Sequence, residues 1–313
     1  MNKVLIADSV SSAVSEVFDK NGIAYDTKIG LSEDELATEI TEYSGLIVRS
    51  AVTVTEKIIN SAINLKVIGR PGVGVDNVDL KAATNNGIVV MNTPLGNVQA
   101  TAELTFGIMH SLMRKISNAN QSMHQKKWEK KKFIGNEMYG KTIGIIGFGN
   151  IGKKVSQIAH AYGMNVLVYS ASISPEDEKK FNVTNQSIED ILEGADIITF
   201  HNKLSENSKY LINSNAITKM KKNAIIINCA RGGLVNEKDI KEALEKGNIA
   251  GYGCDVYENE PEQDSIFSSM DNVVMTPHIG ASTIEAQEKV AYQIAEQIVE
   301  FLKNNKIINQ VNK

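Results

Sequence analysis

Short apolar runs and helical patterns alternate along almost the whole chain, and that alternation limits the fold more than any other feature of its 313 residues. VLIA at 4–7 reads as a strand, and 10–20 as a helix with Val10, Val14, Val17 and Phe18 on one face. GIAYD, GLIVRS, KVIG and GIVVMN follow as strands, spaced by EDELATEITEY, TEKIINSAI and NVDLKAATNNG. From Val98 to about Ser122 one longer helix is expected, with Leu104, Ile108, Leu112 and Ile116 at i+4 spacing. A second series starts at KTIGIIGFGNIG and runs through NVLVYS, ADIITF, AIIINCA, IAGYGCDV and NVVMTP. An amphipathic helix over 284–303 closes the chain and is expected to pack back on the first series. Strands alternating with helices in this way mean α/β parallel sheets covered on both faces. At roughly 150 residues per domain, the length calls for two of them.

Charge removes several classes of partner. Thirty-three basic residues face thirty-seven acidic ones, a net charge of −4. Bulk binding to nucleic acid or to an anionic membrane wants a cationic excess, so neither is expected. The one basic cluster, KKWEKKK at 126–132, reads as a solvated connector. Cys229 and Cys254 are too few for a disulfide framework and lack the paired spacing of a zinc site. A reducing cytoplasm fits them. The N-terminal MNKVLIADSV reads neither as a signal peptide nor as a membrane span.

The chemistry begins at Gly147-Phe148-Gly149-Asn150-Ile151-Gly152, which follows an apolar strand and opens a helical pattern. Gly147 permits a tight turn, Gly149 lets backbone approach a pyrophosphate, and Gly152 lets helix and strand close up. The diphosphate of a dinucleotide then meets free N–H groups at a helix N-terminus. A bare glycine triplet also occurs as a plain turn, but the strand–motif–helix context favours the dinucleotide. The acid that usually binds the adenosine ribose is missing: the second strand ends at Ser170, and Glu176 and Asp177 come late.

Hydride exchange with an alcohol also needs a base for the hydroxyl proton, and histidine suits neutral pH. His110 and His160 read as packing or surface residues, and His124 sits beside the basic connector. His201 and His278 lie where strands should end, the edge on which doubly wound sheets hold ligands. His201 is either a cofactor-pocket residue or a satisfied loop residue. His278 lies between Pro277, which stiffens its approach, and Gly280, which admits close backbone. DVYENEP, from Asp255 to Pro261, supplies a carboxylate to orient and charge the imidazole. Arg231, before two glycines, suits a carboxylate held bidentately.

At this point the residues match a family. GRPGVGVDNVDLKAATNNGIVVMNTP, KKWEKKKFIGNEMYGKTIGIIGFGNIGKK, INCARGGLVNE, DVYENEP and NVVMTPHIGAST together closely resemble the D-2-hydroxyacid dehydrogenases. The resemblance runs from the first strand to about Glu285. It implies two Rossmann-like doubly wound parallel-sheet domains with a cleft between them. Residues 1–97 plus 286–313 would form the substrate domain and 98–285 the dinucleotide-binding domain. By motif, the catalytic residues fall on Arg231, His278 and Glu260, with Glu258 the competitor for the last. Cofactor contacts fall on Asn150, Ile151, Asn202, Cys229, Ala230, Arg231, Asp255, and on His278 through Gly280 and Ala281. Gly72-Val73-Gly74 would present N–H groups to the substrate carboxylate, with Arg49, Ser50 and Arg70 nearby.

Two positions depart from the family pattern. Ser170 stands where NAD-dependent members carry an aspartate, so NAD is expected with room for NADP. The usual His-x-Pro-Leu turn is His201-Asn202-Lys203-Leu204, without its proline. The expected activity is hydride transfer between a nicotinamide and a D-2-hydroxy acid, with 3-phosphoglycerate favoured and serine biosynthesis the setting. Reduction of glyoxylate, hydroxypyruvate or another 2-keto acid is the alternative, and a dinucleotide-sensing corepressor-like scaffold the rival class. A homodimer through the 98–122 region is expected. The chain lacks the C-terminal regulatory domains of longer family members, so it reads as a short form.

Overall fold

The computed structural model describes residues 2–313, which divide into two compact units, one from the segment ending at Val98 with Ala281–Lys313, the other Gln99–Gly280. The first unit holds strands β1 (Lys3–Ile6), β2 (Ala24–Thr27), β3 (Gly45–Ile47), β4 (Val67–Arg70) and β5 (Val89–Asn92). They pair in parallel in the order β2-β1-β3-β4-β5. The first helix is shorter than its apolar pattern, running Ala13–Asn21, because Gly22 caps it in the left-handed region at φ 63°. Val14, Val17 and Phe18 are buried, whereas Val10 precedes the helix and is only partly covered.

The closing helix belongs to this unit. Thr283 caps Ile284–Asn304 by accepting from the Ala286 N–H at 3.1 Å. Its apolar face lies on β4 at Gly69, where a Cβ would come within 2.7 Å of Ile298 and 2.8 Å of Ile294. The tail beyond it pairs with the sheet edge. Val311 N–H donates to the Val90 carbonyl at 2.9 Å, and Asn312 Oδ1 accepts from Val90 N–H at 2.7 Å.

The second unit holds seven parallel strands: β6 (Thr142–Ile146), β7 (Asn165–Tyr169), β8 (Thr184–Asn185), β9 (Ile197–Phe200), β10 (Ile225–Asn228), β11 (Gly251–Cys254) and β12 (Val273–Met275). Their order is β12-β11-β10-β9-β6-β7-β8, so the chain winds outward in both directions from β6. All residues of β9, β10 and β11 are buried, which is why these strands are largely apolar, with Thr199 and Asn228 as buried polar exceptions.

The long helix expected over 98–122 is two helices, Val98–Arg114 and Ile116–His124, broken at Lys115 with φ 51°. The carbonyl of Met113 accepts from the Asn136 N–H at 2.8 Å, a partner from a distant loop. Ile116 consequently leaves the apolar face and is exposed. Among the described residues no helix is long and apolar enough to cross a membrane.

Candidate active site

Each glycine of the 147–152 turn meets a different constraint. Gly147 has φ 98°, and a Cβ there would lie 2.5 Å from the Asn202 nitrogen. A Cβ on Gly152 would lie 2.1 Å from the Gly147 carbonyl oxygen, so helix Asn150–Ala161 packs directly on the turn. Gly149 precedes that helix with no side-chain cap, and nothing lies within 4 Å of where its Cβ would be. Space and the helix's first N–H groups, from Asn150 onward, thus coincide, which suits a diphosphate.

The rim of the turn carries unsatisfied polar atoms. His201 follows β9, its N–H donates to the Ile146 carbonyl at 2.7 Å, and its Nε2 meets Thr199 Oγ1 at 3.0 Å. Burial lowers its pKa to about 3, so the ring is neutral at any working pH and cannot be a charged group of the site. His201 Nδ1 and Asn202 Oδ1 are buried without a hydrogen-bond partner, although Asn202 Nδ2 donates to the Lys203 carbonyl at 3.1 Å. Buried polar atoms left unpaired beside an open glycine turn fit a site completed by a polar ligand.

The end of β7 carries no carboxylate, and Glu176 beyond it is exposed. Ser170 follows β7, its N–H donates to Asn185 Oδ1 at 3.0 Å, and its Oγ accepts from Ser172 N–H at 3.4 Å. Asp177 is held by Lys153 in a half-buried ion pair at 2.8 Å. Glu178 accepts from the Asn185 N–H at 2.6 Å.

Arg231, Glu260 and His278 sit on the loops that follow β10, β11 and β12. Buried Cys229 and Ala230 lead out of β10. Asn228 braces the exit, accepting from Ala230 N–H at 3.1 Å and donating to the Arg231 carbonyl at 2.8 Å. Arg231 Nη1 donates to the Ala230 carbonyl at 2.6 Å. His278 Nδ1 meets Glu260 Oε2 at 2.6 Å. Burial alone would raise the Glu260 carboxyl. The His278 hydrogen bond and charge, the Tyr257 N–H and the Arg231 charge outweigh burial and hold its pKa below the ordinary value.

The carboxylates within DVYENEP touch different partners. Glu258 faces away, accepting from Glu237 N–H at 3.0 Å and Tyr210 OH at 2.9 Å. Asp255 does not orient the imidazole either. Its oxygens accept from Thr276 Oγ1 at 2.6 Å, Ile279 N–H at 2.7 Å and Gly280 N–H at 2.8 Å. Burial raises the Asp255 pKa and those donors pull against the rise. Asp255 therefore fixes the turn carrying His278, a role that spacing did not signal. Gly280 is further tied by Thr101 Oγ1 to its carbonyl at 3.0 Å, and Ala281 follows half-buried.

The first unit places Arg70 at the C-terminal end of β4, as expected, but Arg49 lies beyond β3 rather than ending it. Arg49 N–H donates to buried Asp8 at 2.9 Å, its Nη1 to the Ser9 carbonyl at 3.3 Å, and Ser50 is exposed. Gly72 lacks a Cβ that would lie 1.9 Å from Arg70 Nη1. Its N–H is not presented to a ligand as expected: it donates to Thr93 Oγ1 at 2.7 Å. Among the described residues no hydrogen bond is found from the N–H of Val73 or Gly74.

Known proteins are similar to this chain in sequence and in fold. The family model for the D-isomer specific 2-hydroxyacid dehydrogenase, NAD binding domain, matches residues 106–280. A D-3-phosphoglycerate dehydrogenase of Bacillus subtilis (strain 168) is 42% identical over 314 residues, covering 100% of this chain and 59% of its own length. That of Homo sapiens is 43% identical over 312 residues, covering 100% of this chain and 58% of its own. The chain thus spans somewhat under two thirds of the length of these relatives. Among solved structures, a cofactor (NAD+)-bound 3-phosphoglycerate dehydrogenase from Entamoeba histolytica matches with TM-score 0.85 and 28% identity, covering 100% of this chain and 99% of that one. A glyoxylate reductase from Paecilomyes thermophila matches with TM-score 0.91 and 26% identity, covering 99% and 98%.

Proposed function

The chain belongs to the D-isomer specific 2-hydroxyacid dehydrogenases, and from that premise we propose that it oxidises 3-phosphoglycerate to 3-phosphohydroxypyruvate. The observation that carries the reading is the 2.6 Å contact between His278 Nδ1 and Glu260 Oε2. Donation from Nδ1 to the carboxylate leaves Nε2 as the basic atom, and it takes the substrate's hydroxyl proton. Glu260 then faces the imidazolium and stabilises it. Arg231 holds the substrate carboxylate and the charge growing on the C2 oxygen. NAD bound at the 147–152 turn supplies the hydride acceptor.

The choice of 3-phosphoglycerate is supported by the names of relatives above 40% identity, and would set the protein at the opening of serine biosynthesis. The likeness to a glyoxylate reductase keeps reduction of an unphosphorylated 2-keto acid as the second reading. Steady-state turnover on a panel of 2-hydroxy and 2-keto acids separates them. The phosphate end of the substrate wants an arginine, and Arg49 and Arg70 are the candidates. Replacing either with alanine is expected to raise KM for 3-phosphoglycerate far more than for a short unphosphorylated acid. Equal losses on both substrates would remove the phosphate role.

Cofactor choice is testable at Ser170. A hydroxyl there accepts one hydrogen bond from the ribose but does not repel a 2′-phosphate. Lys153 is paired with Asp177 at 2.8 Å and brings no uncompensated charge to a 2′-phosphate, so NAD is expected to be preferred with measurable use of NADP. Ser170→Asp should raise the NAD-to-NADP ratio of kcat/KM about tenfold, a differential of about 1.4 kcal/mol. A wild-type enzyme that prefers NADP would reverse this assignment.

The same proposal includes a homodimer in the cytoplasm. An open groove of about 450 Å³ lies along the two helices broken at Lys115, lined by His110, Arg114, Ile116 and Met123 among others. The groove, with exposed Trp128 in the connector beyond it, suits a second copy of the chain. Light scattering should give twice the chain mass, and a monomer at micromolar concentration would refute it. Two buried free thiols, Cys229 and Cys254, agree with a reducing compartment.

A further inference from the structure

The three groups of the candidate site stand on three separate loops, and Tyr257, which is none of them, touches all three loops. Its N–H donates to Glu260 Oε1 at 3.1 Å. Its hydroxyl donates to the Thr276 carbonyl at 2.9 Å, the oxygen that also accepts the His278 N–H at 3.0 Å. Its own carbonyl abuts Gly232, the neighbour of Arg231, so closely that a Cβ there would lie 1.9 Å away.

His278 needs such bracing. Its φ of 52° is a left-handed conformation that residues other than glycine rarely adopt, and Pro277 before it restricts the approach. Asp255 holds the far side of that turn through the N–H groups of Ile279 and Gly280. The near side ends at the Thr276 carbonyl, where the Tyr257 hydroxyl arrives. Burial and the neighbouring Cys254 push the Tyr257 pKa up, so its hydroxyl stays protonated and donates.

We propose that Tyr257 is a positioning residue for the proposed oxidation, clamping the loops of Glu260 and His278 so that their side chains meet in one geometry. The backbone N–H orients the carboxylate, and the hydroxyl sets the height of the turn that carries the imidazole. The proposal rests on the dehydrogenase reading above, because only that reading gives the His278–Glu260 contact a task.

Tyr257→Phe tests it, since the ring and the backbone N–H remain and the hydroxyl alone is lost. The variant and the wild type are compared with histidine rings isotope-labelled for NMR. With the clamp removed, kcat for 3-phosphoglycerate should fall about fivefold while both Michaelis constants stay within about twofold. The His278 ring resonances should shift, and those of His110, His124 and His160 should not. Packing alone would lower only the unfolding midpoint, so wild-type kcat or unmoved His278 resonances overturn the proposal. If the wild type turns over no acid at all, the dehydrogenase reading fails separately, and the proposal falls with it even where the resonances shift.

Discussion

On the proposed oxidation, His278→Ala lowers kcat for 3-phosphoglycerate by a factor on the order of a hundred to ten thousand, while NAD still binds near its wild-type affinity. The loss is that of a positioned proton acceptor, and the glycine turn that takes the dinucleotide is untouched. Glu260→Gln is milder. The amide oxygen still accepts from Nδ1, but the carboxylate charge that faces the imidazolium at 2.6 Å is gone. The linked stability has a definite sign. The folded Glu260 carboxyl titrates below its unfolded value, so its contribution is present above that value and is lost as pH falls through the folded one. Stopped-flow turnover with a fluorescence titration of NAD separates chemistry from binding. A His278 variant with near-normal turnover would remove the mechanism.

Gly152→Ala weakens NAD binding by about tenfold or more and lowers the unfolding midpoint as well. The added methyl would sit 2.1 Å from the carbonyl oxygen of Gly147, which is backbone and cannot swing aside as a side chain would. Relief requires helix Asn150–Ala161 to lift off the turn, and overpacking of this kind costs roughly 1–3 kcal/mol. Gly149→Ala is the matched control for space, since nothing lies within 4 Å of its added methyl. It should leave stability nearly unchanged and lose affinity only where the methyl meets the diphosphate. Isothermal titration and thermal melts of the two variants distinguish these outcomes, and a Gly152 variant with wild-type affinity would refute the packing argument.

The two sheets were legible because parallel strands covered on both faces become largely apolar runs, as in IITF and IIIN. The glycine turn was legible because each of its positions obeys a local constraint. What escaped depends on distant partners. Lys115 breaks a helix whose apolar spacing continues across it, because the Met113 carbonyl is taken by Asn136. Gly72 reads as an anion loop, yet its N–H is spent on Thr93. Glu258 and Glu260 are two residues apart with equal chemistry, and they differ in their partners, Glu237 and Tyr210 for the first and His278 for the second. Asp255 was legible as a carboxylate in the right stretch, but not as the brace of the 276–280 turn.

The first unit draws on both ends of the chain, and this bears on how the protein emerges from a ribosome. Val4, Ile6, Val67 and Met91 share one core with Ala291, Ile294, Ile298 and Val299. Helix Ala13–Asn21 covers part of that sheet face early through Val14, Val17 and Phe18, and the rest stays bare until about two hundred further residues have been made. At about 5–20 residues per second the wait lasts roughly 10–40 s. Residues 99–280 meanwhile acquire every partner in their own sheet, so the unit begun first is finished last. Nascent chains halted before Ile284 would leave that part of the sheet open to a holdase, whereas chains extended through Val299 would bury it.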